Sequence, residues 1–468
     1  MLEGLDVREI RLSDVLADED LRLEGKYYNT NNLHVNCAKG DIIESFSQYG
    51  TSKELNEDND GYSVLRMNEF DTFFISKPAK NCNLLDADTY ESLRLRKDDV
   101  LICRTNGNPK LVGRAAIVPR DYDFAFASYL FRVRTNPNLI NASTLVSFLN
   151  SKYGRLEIEK FSMISNQANF SPAKFRKISI PLFSKQFNIH IEALIYQAFA
   201  LLERSKVQYS EAEDILLQEL GLKSWQPDDN PINIKQLKDS FLKSGRLDAE
   251  YYQQKYEDYT CLLEEYKDGF SKLSNVCNIS DKNFNPADDT EYKYIELSNI
   301  GNSGEITGCT VAKGSELPSR ARRLVHSNDV IVSSIEGSLS SCALITEEFN
   351  GALCSTGFYV IHSSFFNPET LLLIFKSEPI QMLMKKGCSG TILTAISKNE
   401  LEKIPLPLIQ KDIQKQLAPM IQKSYRLRNE SKHLLEIAKK AVEIAISENE
   451  ERAILFIKEN EHGKSLYH

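Results

Sequence analysis

Arg22-Leu23-Glu24-Gly25-Lys26-Tyr27-Tyr28 returns 224 residues later as Arg246-Leu247-Asp248-Ala249-Glu250-Tyr251-Tyr252. Two further stretches recur in the same order. Asp99-Val100-Leu101-Ile102, followed by Gly107, returns at an offset of 230 as Asp329-Val330-Ile331-Val332, followed by Gly337. Ile178-Ser179-Ile180-Pro181-Leu182 returns at an offset of 226 as Ile404-Pro405-Leu406-Pro407-Leu408. Three ordered matches with a nearly constant offset imply duplication of a whole domain. A duplicated chain carries two similar surfaces, which suits a ligand that itself has two parts.

The length agrees with this. A chain of 468 residues exceeds the ~250–300 at which single cores stop growing, so two units fit better than one. Hydrophobic residues make up 42% and charged residues 26%, as in soluble globular proteins. No run of ~18 apolar residues suggests a membrane span. The opening Met1-Leu2-Glu3-Gly4-Leu5-Asp6 is acidic and does not read as a signal peptide. The nine cysteines are scattered without a Cys-x-x-Cys, and the seven histidines are dispersed. That pattern predicts reduced thiols in a cytoplasmic protein, with no disulfide frame and no metal site.

Each unit follows one plan. After the Arg-Leu-acid-x-x-Tyr-Tyr opening come period-two stretches, Ser63–Met67 and Tyr292–Leu297, as in half-buried strands. The Asp-Val runs then end in polar, glycine-containing loops. Phe124–Val133 and Phe358–Ile361 add strands, and Leu145–Leu149 and Leu371–Phe375 read as helices on the sheet. Beyond Pro181 and Pro407 come long helical stretches. Lys185–Leu220 holds neither glycine nor proline, and 36 such residues would span roughly 54 Å at ~1.5 Å each. The second runs from about Gln410 to Asn460, with Pro419 near its start. A narrow apolar stripe among charges calls for a partner helix, and the duplicate is the natural one. The fold expected is therefore α+β: two tandem strand-rich domains and two long helices paired as an antiparallel coiled coil, with an internal pseudo-two-fold. The boundaries expected are 1–182 for the first domain, 183–244 for the central helix and linker, 245–408 for the second domain and 409–468 for the C-terminal helix.

The charge balance is uneven. The net is −8, yet residues 93–134 hold nine Lys/Arg against four acids. Arg320, Arg322, Arg323 and Lys385-Lys386 form basic stretches in the second unit. Phosphate responds to local field rather than net charge, so a polyanion partner stays open beside solvated surface charge. Catalytic signatures are missing. There is no Asn/Asp-Pro-Pro-aromatic motif, glycine-rich cofactor loop, P-loop or Gly-x-Ser-x-Gly elbow. Pro227-Asp228 has no Glu-x-Lys beside it. His34 and His326 read as ordinary surface or core histidines. A binding protein without catalytic residues is the better reading.

Asp99-Val100-Leu101-Ile102-Cys103-Arg104-Thr105-Asn106-Gly107, with Leu111-Val112-Gly113-Arg114-Ala115-Ala116 behind it, resembles the hallmark stretch of the specificity subunits of type I restriction-modification enzymes. Arg246–Tyr252 resembles the stretch that opens the second half in that family, and the Ile-x-Ile-Pro-Leu element with its long helix is similar too. The resemblance implies two target-recognition domains, each gripping one half-site of a bipartite asymmetric sequence in double-stranded DNA. The helix pair would act as a ruler and dock two modification subunits. Those would carry S-adenosylmethionine for adenine N6 methylation. Restriction subunits using ATP and Mg could join. This chain would bind no cofactor itself. A ~54 Å helix matches about 15 base pairs at ~3.4 Å each, room for two half-sites and an unread spacer.

Base reading needs Arg, Asn, Gln, Ser or Thr on loops that reach a groove, while Lys and Arg on phosphates set register. The first-unit candidates are Arg104, Thr105, Asn106, Lys110, Arg114, Asn166 and Gln167. The second-unit candidates are Ser333, Ser334, Ser338, Lys385, Lys386 and Thr391. Against them stands the plainer reading that Asn106, Gly107, Gly337 and Gly390 only make turns. Where the first unit has Arg104 and Asn106, the second has Ser334 and Glu336, so the half-sites should differ. Two other function classes remain: a stand-alone methyltransferase-like enzyme, and a coiled-coil scaffold that binds proteins alone.

Overall fold

The computed structural model describes residues 9–16, 35–70, 73–162, 168–228, 230, 232–390 and 394–461. The Arg22–Tyr28 stretch and His34 lie outside these, as do Asn166, Gln167 and Thr391. Two compact units emerge. One is the chain up to Leu202 with the chain from Asn429; the other is Glu203–Arg428. The long helices are thus no separate body: each gives part of its length to each unit.

The strands of the first unit are β1 (Cys37–Lys39), β2 (Glu44–Tyr49), β3 (Tyr62–Leu65), β4 (Asn81–Cys82), β5 (Val100–Cys103), β6 (Ala115–Ile117), β7 (Ala125–Phe126), β8 (Leu130–Thr135) and β9 (Ser179–Pro181). Its main sheet runs β2-β8-β5-β6, a smaller one β4-β3-β7, and β1 pairs with β9. The second unit has β10 (Phe270–Lys272), β11 (Cys277–Ser280), β12 (Glu291–Ile295), β13 (Thr310–Lys313), β14 (Ala321–Leu324), β15 (Val330–Ser333), β16 (Cys342–Leu344), β17 (Leu353–Ser355), β18 (Phe358–Ser363), β19 (Cys388–Ser389), β20 (Ala395–Ile396) and β21 (Pro405–Pro407). Its main sheet runs β11-β18-β15-β16, the same path, and β10 pairs with β21 as β1 does with β9.

The repeated Asp-Val run has a local cause. Asp98 and Asn328 adopt the left-handed conformation, at φ of 66° and 72°, which Asn and Asp tolerate best among residues with a side chain. The next aspartate closes that turn. Asp99 accepts the Arg96 N–H at 2.9 Å and Asp329 the His326 N–H at 2.8 Å. The strand then enters the centre of the sheet, with apolar side chains on both faces. Val100 and Ile102 join one core cluster, Leu101 and Cys103 another. Val330 and Val332 separate from Ile331 in the same way.

Helix entry is duplicated down to the atoms. Asn141 caps helix Ala142–Asn150 by accepting the Thr144 N–H, and Asn367 caps Pro368–Lys376 by accepting that of Thr370, both at 2.8 Å. Each amide also donates at 2.9 Å to a long-helix carbonyl, Asn188 or Gln414. The prolines of β9 and β21 sit in two-stranded ladders, where a missing N–H is tolerated.

The long helices are Lys185–Glu219 and Lys411–Ser447. They pair antiparallel inside each unit. In the first, Ser184 meets Glu450 while the Ser431 hydroxyl donates to Ala198 O at 2.7 Å. Phe187, Ile191, Leu194 and Ala198 share a core there with Leu434, Ala438 and Ala441. In the second, the Ser424 hydroxyl donates to Ser205 O at 2.8 Å, and Tyr209, Ala212 and Leu216 pack with Leu417, Ile421 and Tyr425.

Two expectations need correction. The second helical stretch is not continuous. It stops at Ser447 and restarts as Glu450–Glu461, with Asn449 accepting the Arg452 N–H as a fresh cap. Phe124–Val133 is two strands rather than one, because the chain changes sheet: β7 pairs with β3, and β8 returns to β5. Among the described residues, no helix is long and apolar enough to cross a membrane.

Candidate nucleic-acid interface

The first unit's polar loop leaves the end of β5. Arg104 is held there by its backbone: its N–H donates to Tyr129 O and its carbonyl accepts the Phe170 N–H, each at 2.8 Å. Its guanidinium lies 5.3 Å from the Tyr49 ring centroid. Tyr49 is 46% exposed, so the cation rests on an accessible aromatic ring, and Tyr129 beside the loop is 56% exposed. Thr105 bridges to Asn169. The Asn106 side chain accepts the Asn108 N–H at 2.8 Å, and that of Asn108 accepts the Lys110 N–H at 3.1 Å. These successive side-chain-closed turns leave Lys110 exposed. Arg155 anchors the loop from below, donating to the carbonyls of Lys110 at 3.1 Å and Val112 at 2.8 Å. Arg114 is half-buried, and its carbonyl accepts the Cys103 N–H. Burial pushes the Cys103 thiol up to about 11, which leaves it protonated and a poor nucleophile.

The basic stretch around this loop is not the single phosphate surface that its composition suggested. Arg94 pairs with Asp123 and Arg96 with Glu91. Asp99 takes Arg132 at 3.1 Å and Arg134 at 2.6 Å. Burial pulls the Arg132 guanidinium below its usual value, and Asp99 opposes that. Much of the local charge is therefore spent inside the fold.

In the second unit the backbone is the same and the chemistry differs. The Ser334 N–H donates to Gly357 O at 2.8 Å, and the Ser334 carbonyl accepts the Ile396 N–H at 2.8 Å. The serines serve their own turn. Ser333 is fully buried, 3.0 Å from the Ser338 hydroxyl, and accepts the Ile335 N–H. The Ser334 hydroxyl donates to Gly357 O at 3.0 Å, and that of Ser338 to Ile335 O. Ser333 is thus not placed to meet a ligand.

Lys385 and Lys386 instead border a groove of about 1030 Å³, with Glu336, Arg246, Tyr251 and Lys403. Arg246 caps helix Glu378–Gly387, donating to the carbonyls of Lys386 at 3.3 Å and Cys388 at 3.1 Å. It also pairs with Asp248 at 2.6 Å and stacks 4.4 Å from the Tyr251 ring. Lys386 rests over Tyr251 and Tyr256, and burial lowers its ammonium from the usual lysine range. The Arg-Leu-Asp-x-x-Tyr-Tyr opening therefore builds one wall of this groove, a role its recurrence alone did not disclose. Tyr49 and Tyr129 were missed because β2 has no clear alternation and Tyr129 sits in the turn between sheets. Among the described residues, no three metal-ligating side chains come together.

Residues 265–439 match the family model of the type I restriction modification DNA specificity domain. A search of curated proteins finds no match. Three solved structures are similar. One is a type I restriction-modification S subunit from M. genitalium, at 11% identity and TM-score 0.42, covering 89% of this chain and 96% of that one. Another is the HsdS subunit from Thermoanaerobacter tengcongensis, at 14% identity and TM-score 0.29, covering 88% and 97%. The third comes from work on complex assembly and conformational transition of the type I R-M system, at 12% identity and TM-score 0.27, covering 92% and 97%. Likeness this distant assigns neither a site nor a partner to this chain.

Proposed function

We propose that this chain is the non-catalytic DNA-reading component of a type I restriction-modification complex, with one half-site read by each unit. One observation carries the reading. The specificity-domain match falls largely on the second unit, and the first unit repeats that unit's main sheet, turn aspartate and helix cap. Two copies of a DNA-reading fold on one chain suit a bipartite site.

In the first unit Arg104, with Asn106 and Lys110 behind it, would enter the groove. An arginine braced on an aromatic ring has fewer rotamers to lose, and guanine O6 and N7 are its usual bidentate partners. In the second unit Glu336 would accept from a cytosine amine, while Lys385 and Lys386 take phosphates. Asn166, Gln167 and Thr391 remain proposed contacts. The lengths of the long helices would set the unread spacer, and two modification subunits would dock along them. S-adenosylmethionine, ATP and Mg would belong to the partner subunits.

Methylome sequencing of the host with and without this chain tests the proposal. A bipartite adenine-methylated motif should vanish on deletion. An unchanged methylome in a host whose modification subunit is expressed would sink the reading. Lengthening both long helices by one turn should change the spacer alone; altered half-site bases would refute the ruler.

A further inference from the structure

Among the buried positions at which the two main sheets differ, one exchanges a charged side chain for an apolar one. In the first unit Arg132 is only 1% exposed. Its Nη1 donates to Arg94 O at 2.9 Å and Asp99 Oδ2 at 3.1 Å. Its Nη2 donates to Ser92 O at 2.7 Å and to the Gln48 amide oxygen. The rings of Phe46 and Phe126 lie 5.4 Å from the guanidinium carbon.

Strand register identifies the counterparts. Leu101 pairs with Arg132 and Ile331 with Val360. Gln48 pairs with Arg132 and Ser280 with Val360; Phe46 pairs with Arg134 and Asn278 with His362. Asp329 stands where Asp99 does, before the first residue of the central strand. Valine ends well short of where a guanidinium would lie. A cavity of about 350 Å³ opens there, lined by Asn278, Ser280, Asp329, Val360 and His362, with Lys282, Asn283, Phe284, Leu324 and His326 also bordering it. The unit's own Arg323 is engaged at this border, donating to the Asn283 amide oxygen at 2.9 Å. Asn278, Ser280, Asp329 and His362 correspond in position to Phe46, Gln48, Asp99 and Arg134 around Arg132.

We propose that this cavity is a receptor for a guanidinium group supplied from outside the unit, on a polypeptide arginine or on a free guanidinium compound. The duplicate shows which chemistry fits the frame. A planar cation with donors on two edges satisfies a buried carboxylate, an amide or hydroxyl oxygen and nearby carbonyls at once. Asp329 is 8% exposed and already takes the His326 N–H at 2.8 Å, with His362 Nδ1 at 3.5 Å in the role of Arg134. That leaves the Arg132 side of the carboxylate open. Asn278 and Ser280 offer further acceptors. Lys282 is exposed, and its flexible stem lets it move aside into solvent.

The test uses the full chain with histidine-labelled NMR at pH 8. Methylguanidinium at millimolar concentration should shift the His326 and His362 signals saturably. Methylammonium at equal ionic strength should bind at least tenfold more weakly. Val360→Arg should supply the guanidinium internally, keep the fold and abolish the saturable response. Should Val360→Arg fail to fold, Asp329→Asn gives the decision: loss of the response supports the receptor, and its persistence overturns it. A folded Val360→Arg chain that still responds also overturns it, as does equal binding of the two cations. Nα-acetyl-arginine amide separates the sources. Binding as tight as that of methylguanidinium assigns the site to a polypeptide arginine, and exclusion assigns it to free guanidinium compounds.

Discussion

Arg104 and Ser334 occupy the same place and do different work. Each donates its N–H to the residue before the returning strand, Tyr129 or Gly357, at 2.8 Å. Each gives its carbonyl to a later segment, at Phe170 or Ile396, at 2.8 Å. Beyond the backbone the likeness ends. Arg104 extends over Tyr49, whereas the Ser334 hydroxyl folds back onto Gly357 O. The framework aspartates differ in the same manner. Asp99 binds a buried arginine and a half-exposed one, while Asp329 faces an exposed histidine and a cavity. Duplication preserved the hydrogen bonds that a turn or helix end cannot do without. Side chains outside those turn and cap bonds diverged, Arg132 and Arg104 among them.

The sharpest way to break this comparison is to neutralise both aspartates. Asp99→Asn leaves Arg132 buried without its carboxylate, and removal of one partner of a buried pair typically costs about 3–5 kcal/mol. Asp329→Asn weakens a backbone contact and an exposed histidine contact, so about 1 kcal/mol is expected. Denaturant unfolding of the two full-length variants measures both. Equal losses would show that the two networks are equivalent.

Next in size is the reading itself. Arg104→Ala should relax one position of one half-site by about 1–3 kcal/mol of discrimination, the worth of a good bidentate base contact. Ser334→Ala should leave the methylated motif unchanged, since its hydroxyl serves Gly357 O. Motif degeneracy in the methylome reads out both, and degeneracy caused by the serine variant would contradict the asymmetry.

The caps should behave alike. Asn141→Ala and Asn367→Ala each remove a helix cap and an amide bond to a long-helix carbonyl. A loss of about 1–2 kcal/mol is expected for each. Thermal unfolding that separates them by more than about 1 kcal/mol would mean that the repeat is less exact in energy than in geometry.

The smallest effect comes from acid. Arg246 holds the Asp248 carboxyl below its usual value, and the Tyr256 hydroxyl does the same for Glu250. A folded value below the unfolded one stabilises above the ordinary carboxylate range, and that stability is lost as pH falls through the folded value. Both groups are largely solvated, so the change should be a few tenths of a kcal/mol. NMR of the Tyr251 ring should show it leaving Arg246 below about pH 4, and Arg246→Ala should abolish that transition. A Tyr251 ring unmoved by acid would make the Arg246 stack independent of Asp248.

Much of the scaffold was legible in the chain because its determinants are local. Period-two runs mark β3 and β12, short apolar β-branched runs mark β5 and β15, and apolar residues at three-to-four spacing mark the long helices. The asparagine caps and turn aspartates act within three residues of themselves. The break at Ser447–Glu450 was masked by apolar periodicity that runs through it, although Asn449 followed by Glu450 and Glu451 is a local cap signal. The candidate site was legible in part. Arg104, Asn106 and Lys110 lie on the loop expected. Ser333 and Ser338 satisfy one another, which composition does not reveal.

By itself the sequence determined that the chain is duplicated, that each copy is a mixed α/β unit, and that a long amphipathic helix follows each. These rest on order, spacing and short-range propensity. Only the tertiary structure decided which charges are used up inside. The Asp99 that closes a local turn also neutralises Arg132, a residue of another strand. Val360 differs from Arg132 in sequence by one letter, but in three dimensions by a cavity beside a buried carboxylate. Burial and pairing across strands are set by residues far apart in the chain, and no local pattern encodes them.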